Sequence, residues 1–338
     1  MRGFAITQSL PADASGCFVE VNLSTPCPGP MDLLVRIKGI SINPVDIKRR
    51  RLYTPDQGPR FLGWDAAGVV EQVGSEVKDF REGDDVFYAG SLDREGSYVE
   101  CQLVDSRLVA HKPASLDFEE AAALPLTSIT AWESIFERLQ ITRGTEENAA
   151  ILLLGGAGGM GSIAIQLLRR LTGLTIIATA SREESTRWCL ELGAHHVINH
   201  ALPLPPQLRK LGMDQVKYIL CLSEPVAHWH NICESLAPLG RICVLSDAGA
   251  PLDMNLLKWK SATFVWQFMS TLPMYASERM GEHGAILKKI TRMTDQGLLR
   301  TTKLQSLGPM SVDSLARGHR FIETGHTIGK ITLGGVSA

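Results

Sequence analysis

The chain has 338 residues, 44% of them hydrophobic and 21% charged, with a formal net charge of -2. That length allows one large domain or two of ordinary size, with enough apolar material for a substantial core. The near-neutral balance lacks the basic footprint of a nucleic-acid binder, and no stretch approaches the roughly 18 apolar residues of a membrane span.

The opening "MRGFAITQSL" has one Arg and no apolar core leading to a small-residue cleavage site, so no signal peptide is expected. Seven cysteines are scattered without CxxC spacing, which points to buried thiols in a reducing compartment and to the cytoplasm. Over the first 120 residues, "DLLVRIKGISI" alternates apolar and polar positions. "GWDAAGVVEQVG", "GDDVFYAG" and "GSYVECQLVD" are short apolar runs punctuated by Gly and Asp, the pattern of a sheet-rich or barrel-like module. The Ala-rich stretch "LDFEEAAALPLTSITAWESIFERL" then predicts helix, with Asp117 or Ser115 as its cap.

From there strands alternate with helices. "AAILLLGG", "TIIATAS", "HHVIN", "VKYILCLS" and "GRICVLS" read as strands. A helix to about Leu171, "EESTRWCLELGA" stopped by Gly193, and "PVAHWHNICESLAPLG" read as the helices between them. That alternation predicts an α/β domain with a parallel, doubly wound sheet covered on both faces. After about Leu256 the regularity weakens. "AILKKITRMTDQG" reads as an amphipathic helix and "GKITLGG" as a last strand, and the tail is expected to rejoin the N-terminal module.

Gly156-x-Gly158-x-x-Gly161 fits G-x-G-x-x-G, with an apolar strand before it and a helix after. Glycine permits the tight turn and the close approach of backbone to a pyrophosphate, and the helix N-terminus offers its unpaired N–H groups. The competing reading is a tight turn in a non-binding domain. A site for NAD ends the next strand with Asp or Glu, but here it ends "TASR". A carboxylate would repel a 2′-phosphate, whereas the Ser181 hydroxyl and the Arg182 guanidinium would bind one. The pair points to NADP(H). The alternative is that Arg182 is a solvated side chain paired with Glu183 or Glu184, and Arg187 is a spare candidate for the phosphate.

"SINPVDIKRRRLY", "FLGWDAAGVV", "GDDVFYAG", "LPLTSITAWE", the glycine turn, "ELGAHHVIN" and "GHTIGKITL" follow one another along nearly the whole chain. In this order they resemble the medium-chain dehydrogenase/reductase superfamily. Within it the chain is similar to the zinc-lacking quinone oxidoreductase branch, whose members carry the label zinc-type alcohol dehydrogenase-like. The resemblance implies a Rossmann NADP(H)-binding domain over residues 124–265. It also implies a β-rich, GroES-like catalytic domain over residues 1–123 and 266–338, and a homodimer acting on a small molecule.

Where zinc alcohol dehydrogenases place a Cys and a G-H-E histidine on the metal, this chain has Asn43-Pro44-Val45-Asp46 and Gly63-Trp64-Asp65. Indole has no lone pair for a metal and an amide is a poor zinc ligand. Of the four cysteines of the structural zinc loop, the stretch from Phe87 to Cys101 supplies only Cys101. No metal is therefore expected. Without a Lewis acid, alcohol oxidation loses its alkoxide stabiliser, and reduction of a quinone or an activated C=C needs less. The expected activity is a zinc-independent, NADPH-dependent reductase of quinones or α,β-unsaturated carbonyls. The alternatives are a zinc-dependent alcohol dehydrogenase and a non-catalytic NADPH-binding protein.

By the same resemblance Asn43 reaches the nicotinamide ribose, against an Asx turn before Pro44, and Asp46 organises the site or caps its helix. Lys48 and Tyr53 stand where the family hydrogen-bonds a developing enolate, against a solvated face for the Lys48–Arg51 run. Thr127 and Thr130 lie near the nicotinamide and its phosphates, against support of the helix start for Thr130, and Gly159 and Met160 donate backbone N–H groups to the pyrophosphate. His200 takes the place of a family Tyr beside the adenosine phosphate, and Ser246 borders the nicotinamide. Trp266 and Phe268 wall the site or a subunit contact, against plain core. Lys330, after Gly329, approaches the cofactor.

Overall fold

The structure, a computed structural model, describes residues 1–55, 58–145 and 148–337. The first strands and helices in chain order are β1 (Arg2–Ile6), β2 (Val19–Asn22), β3 (Asp32–Ser41), α1 (Pro44–Arg51), β4 (Arg60–Phe61), β5 (Ala66–Val73), β6 (Asp85–Tyr88), β7 (Cys101–Asp105), β8 (Val109–His111), α2 (Phe118–Ala122) and α3 (Pro125–Trp132). The α/β alternation follows as β9 (Ala150–Leu154), α4 (Gly159–Leu171), β10 (Thr175–Thr179), α5 (Glu183–Glu191), β11 (His196–Ile198), α6 (Leu204–Lys210), β12 (Val216–Cys221), α7 (Pro225–Ser235), β13 (Leu236–Val244), α8 (Asn255–Lys258) and β14 (Thr263–Trp266). The tail carries α9 (Thr271–Met274), α10 (Glu282–Asp295), β15 (Lys303–Met310), α11 (Val312–Glu323) and β16 (Lys330–Val336).

The chain divides into two compact units, Met1–Ile129 with Ser270–Ala338, and Thr130–Met269. In the first, a largely antiparallel sheet runs β15-β16-β3-β5-β6-β8, with β7 also pairing β3, and a small sheet runs β2-β1-β4. The last strand closes on the third, Thr332 opposite Ser41 and Leu333 opposite Ile40, which carries residues from the far end of the sequence to the start of α1. In the second unit all strands are parallel in the order β11-β10-β9-β12-β13-β14. Every residue of the central strand "AILLL" is buried, as a sheet covered on both faces requires. Leu152 of that strand lies in register with Ile177 on β10 and Ile219 on β12, and Ile219 with Ile242 on β13, so the four side chains line one face and share one core cluster.

The long Ala-rich helix predicted after residue 115 is interrupted. Pro125 disfavours helical backbone at the residue before it, and α2 ends at Ala122 before α3 begins. Asp117 is the cap, accepting from the Glu120 N–H at 2.6 Å while Glu120 accepts from the Asp117 N–H at 2.9 Å. Ser115 bonds Asp295 instead. The helix predicted through Gly240 stops at Ser235, since Pro238 could neither donate to a helical carbonyl nor fit beside it, and β13 begins at Leu236. Gly193, at φ +109°, ends α5 as expected. Among the described residues no helix is long and apolar enough to cross a membrane, and the seven cysteines are free, with only Cys27 exposed.

Candidate active site

In the first unit, Asn43 stands between the end of β3 and the start of α1, and Pro44 fixes the first helical φ. Its side chain is a bridge. Nδ2 donates to Asp65 Oδ2 at 2.9 Å and to the Ser41 carbonyl at 3.4 Å, while Oδ1 accepts from Lys330 Nζ. Lys330 also donates to Asp65 Oδ2 at 3.0 Å and to the Ile42 carbonyl at 3.2 Å, so its three N–H groups all face protein acceptors. Asp65 accepts further bonds from Ser41 Oγ at 2.8 Å and from the Leu126 N–H at 2.8 Å, the latter fixing the start of α3. The side chains of Lys330 and Asp65 are 4% and 0% exposed. Lys330, expected at the cofactor, is thus given a first task within the protein, holding Asn43 and Asp65 in place.

A second polar chain leads away from the same helix start. Asp46 Oδ2 accepts from the Asn43 N–H at 2.7 Å and from Tyr98 Oη at 3.2 Å. Tyr98 Oη lies 3.0 Å from His319 Nε2, and His319 Nδ1 lies 3.3 Å from Arg50, which is ion-paired with Glu323. Arginine only donates, so Nδ1 accepts, Nε2 carries the ring proton toward Tyr98, and Tyr98 donates to Asp46. Arg50 is buried, so the Lys48–Arg51 run is not the uniformly solvated face of the competing reading: its second arginine points inward.

Burial pushes the Asp46 carboxyl up to about 7. Burial, reinforced by Arg50, pushes the His319 imidazole down to about 3. Folding therefore holds a proton on Asp46 that the unfolded chain gives up near pH 3.8, and Asp46 lowers stability as pH rises from there to about 7. His319 acts in the opposite sense, adding stability as pH rises from about 3 to the unfolded 6.5. Asp46→Asn is expected to remove only the first effect. Its urea midpoint should improve relative to the parent as pH rises from about 4 to about 7, and parallel profiles would show that Asp46 has the same pKa in the folded and unfolded chain.

Other predicted residues of this unit are placed differently. Lys48 lies on the exposed side of α1. Tyr53 is buried and its hydroxyl donates to the Gly58 carbonyl. Thr127 is buried with its hydroxyl bonded back to the Leu124 carbonyl at 3.1 Å. Trp64 is buried and its indole N–H donates to the Ser91 carbonyl at 3.0 Å.

In the second unit, β9 leads into the glycine turn. The Gly155 N–H donates to Thr179 Oγ1 at 3.0 Å and the Gly156 N–H to the Thr179 carbonyl at 3.1 Å, tying the turn to the end of β10. A Cβ on Gly156 would stand 2.7 Å from the Ala178 Cβ, and one on Gly161 would stand 2.5 Å from the Gly156 carbonyl oxygen. Those two glycines are required by packing. Gly158 differs, because a Cβ there would meet only the Gly155 carbonyl oxygen at 3.8 Å, an ordinary contact, at the cap of α4. Gly158, Gly159 and Met160 are half-buried.

Ser181 and Arg182 are exposed at the end of β10, and Arg187 pairs with Glu183 at 3.2 Å, one helical turn apart. His200 Nδ1 and Ser246 Oγ are buried without a hydrogen-bond partner, His200 lying edge-on to His228 with ring centroids 5.9 Å apart. Burial also lowers the His200 pKa. A buried polar atom left unpaired is costly, and two such atoms at the predicted cofactor positions, together with the uncrowded backbone at Gly158, fit a bound dinucleotide.

The sequence reading missed Gln267. It follows β14, gives its Nε2 to Glu133, and keeps Oε1 buried without a partner. The lone amide in "FVWQFM" was the available signal. Trp266 and Phe268 on either side are 50% and 48% exposed, so they are not core.

Comparison with known proteins shows the family of the chain. The alcohol dehydrogenase GroES-like domain matches residues 29–114, and the zinc-binding dehydrogenase domain matches residues 159–280. A zinc-type alcohol dehydrogenase-like protein of Staphylococcus epidermidis is 38% identical over 335 residues, covering 98% of this chain and 99% of that protein. The chain is a medium-chain dehydrogenase/reductase. This dehydrogenase/reductase matches a crystal structure from Rhizobium etli CFN 42, provisionally described as a zinc-dependent alcohol dehydrogenase, with a TM-score of 0.96 and 42% identity over 100% of this chain and 99% of that one. The 2-methylene-furan-3-one reductase of Solanum lycopersicum is 30% identical over 324 residues, 93% of this dehydrogenase/reductase and 74% of the tomato protein. The fold and the family make the chain an oxidoreductase with a nicotinamide cofactor.

Proposed function

We propose that the chain is a zinc-independent, NADPH-dependent reductase of quinones or α,β-unsaturated carbonyls. The observation that carries this reading is the donor set around Asn43. The Asn43 oxygen already holds the Lys330 ammonium, and the Trp64 indole offers only an N–H directed at Ser91. A cation would meet an ammonium there, and among the described residues no group of three or more His, Cys, Asp or Glu is placed to hold a metal. The residues do not fit a catalytic zinc.

Bound NADPH would supply the hydride. The chain's own part is positioning. Backbone N–H groups of Gly158, Gly159 and Met160 would receive the pyrophosphate, and Ser181 and Arg182 the 2′-phosphate. His200 Nδ1 and Ser246 Oγ, each lacking a partner, would gain one from the ligand. Asn43 and Thr127 would line the nicotinamide end, and Lys48 is the remaining candidate for donating a hydrogen bond to the substrate oxygen, since the Tyr53 hydroxyl proton is held by the Gly58 carbonyl. The tomato relative's name, which specifies an exocyclic enone, supports the enone class.

The test is NADPH oxidation against a panel of quinones, enones and aldehydes, with metal analysis of the same preparation. Chelator-insensitive turnover of quinones or enones is expected. Stoichiometric zinc with chelator-sensitive alcohol oxidation would overturn the proposal, as would intact NADPH binding without turnover on any of the panel.

A homodimer completes the proposal. β14 is the last strand of its sheet, and Leu239, Trp259, Trp266 and Phe268 of the same unit expose large apolar surface. Sedimentation is expected to give twice the 36.9 kDa chain mass, and Trp266→Glu to give the single mass; a monomeric parent overturns the assignment.

A further inference from the structure

The glycine turn is held from a third direction. Ser162, fully buried in the first turn of α4, donates its hydroxyl proton to the Gly158 carbonyl at 2.8 Å, with the Ala157 carbonyl at 3.3 Å. Trp188, on α5, donates its indole N–H to the same Ser162 oxygen at 2.8 Å. Indole nitrogen is a donor only, so Ser162 must accept from it and turn its single proton toward the two carbonyls. In a trans peptide the C=O and the following N–H point in opposite directions. Drawing the Ala157 and Gly158 carbonyls toward Ser162 therefore aims the N–H groups of Gly158 and Gly159 away from the helix body. α5 touches the turn at a second place, where Cys189 Sγ would stand 3.2 Å from a Cβ on Gly156.

We infer that Ser162 and Trp188 are a positioning pair that sets the peptide planes of the dinucleotide-binding turn, so that deleting either polar group weakens binding of the cofactor's pyrophosphate. The inference rests on the proposed dinucleotide site but not on its preference for the 2′-phosphate. An ordinary helical serine could bond back to its i−4 carbonyl without consequence. Here the hydroxyl is pinned on its accepting side by a residue from the next helix.

The experiment is calorimetric titration of the full-length parent and of Trp188→Phe, Ser162→Ala and Ser162→Thr with three probes: NADPH, NADH and adenosine 2′-monophosphate. Trp188→Phe keeps most of the ring volume and removes the N–H, Ser162→Ala removes the hydroxyl, and Ser162→Thr retains it. The first two variants should weaken NADPH and NADH equally, by about 3- to 10-fold, the scale of one lost hydrogen bond. Adenosine 2′-monophosphate, which has no pyrophosphate, should bind them as it binds the parent, and Ser162→Thr should recover at least half of the loss. Unchanged affinity for both dinucleotides overturns the inference. So does a loss shared by the mononucleotide, which would mark a general loosening of α5. A parent that binds NADH but not adenosine 2′-monophosphate would refute the 2′-phosphate preference alone, and the NADH arm would still decide the positioning role.

Discussion

Lys330→Met is expected to lower the stability of the β-rich unit by roughly 3–5 kcal/mol, the usual penalty for removing one partner of a buried ion pair. The lysine and Asp65 are 4% and 0% exposed and 3.0 Å apart, so water screens neither charge. Without the ammonium, Asp65 keeps only neutral donors, from Ser41, Asn43 and the Leu126 N–H. Hydrogen bonds to a carboxylate help, but they do not replace a counter-charge in a water-free site. Asp65→Asn in the Lys330→Met background should recover part of the loss, because a neutral amide needs no cation. Lys330→Arg should be worse than the parent despite its charge, since a planar fork cannot meet three acceptors arranged for a tetrahedral ammonium. Urea midpoints of the four proteins measure this, and a Lys330→Met variant within about 1 kcal/mol of the parent would show that the pair does not hold Asn43 and the start of α3.

The same cluster marks where sequence reading stopped. The glycine turn was legible because its requirements are local: one strand, three glycines and one helix within about twenty residues. The parallel sheet was legible because doubly covered strands are continuously apolar, as in "AILLL". Lys330 and Asp65 are 265 residues apart, and nothing in either neighbourhood announces the other. The pairing of β16 with β3 and of β3 with β5 brings them together, and strand partners at that separation are chosen by tertiary packing.

Arg50 shows a related limit. In "KRRR" the four charges look alike, but helical periodicity turns Arg50 toward His319 and Glu323 and leaves Lys48 outside. β2 was missed because its side chains alternate between half-buried and exposed with no fully buried position, and β1 offers only the short apolar run Phe4-Ala5-Ile6. Where the family resemblance gave Lys330 a place beside the cofactor, the hydrogen bonds explain why a lysine is needed even before any ligand arrives.

Arg182→Ala should weaken NADPH by about 10- to 100-fold and leave NADH within about twofold, the range for losing charge-assisted hydrogen bonds to a phosphate. Ser181 and Arg182 stand exposed where β10 gives way to α5, with Arg182 as the residue before the first helical turn. A 2′-phosphate there would meet a guanidinium fork and the positive end of a helix. Glu183 closes on Arg187 instead of projecting alone at that end. Ser181→Asp is the sharper variant. It exchanges a hydroxyl that can donate for a carboxylate that repels the phosphate and accepts from ribose hydroxyls, so preference should invert toward NADH. Because the site is exposed, the parent's NADPH affinity should fall with added salt while its NADH affinity moves less. Paired titrations of the parent and both variants decide the matter: equal dissociation constants for the two cofactors in the parent would disprove the preference, and an Arg182→Ala variant still favouring NADPH would assign it to a residue other than Arg182.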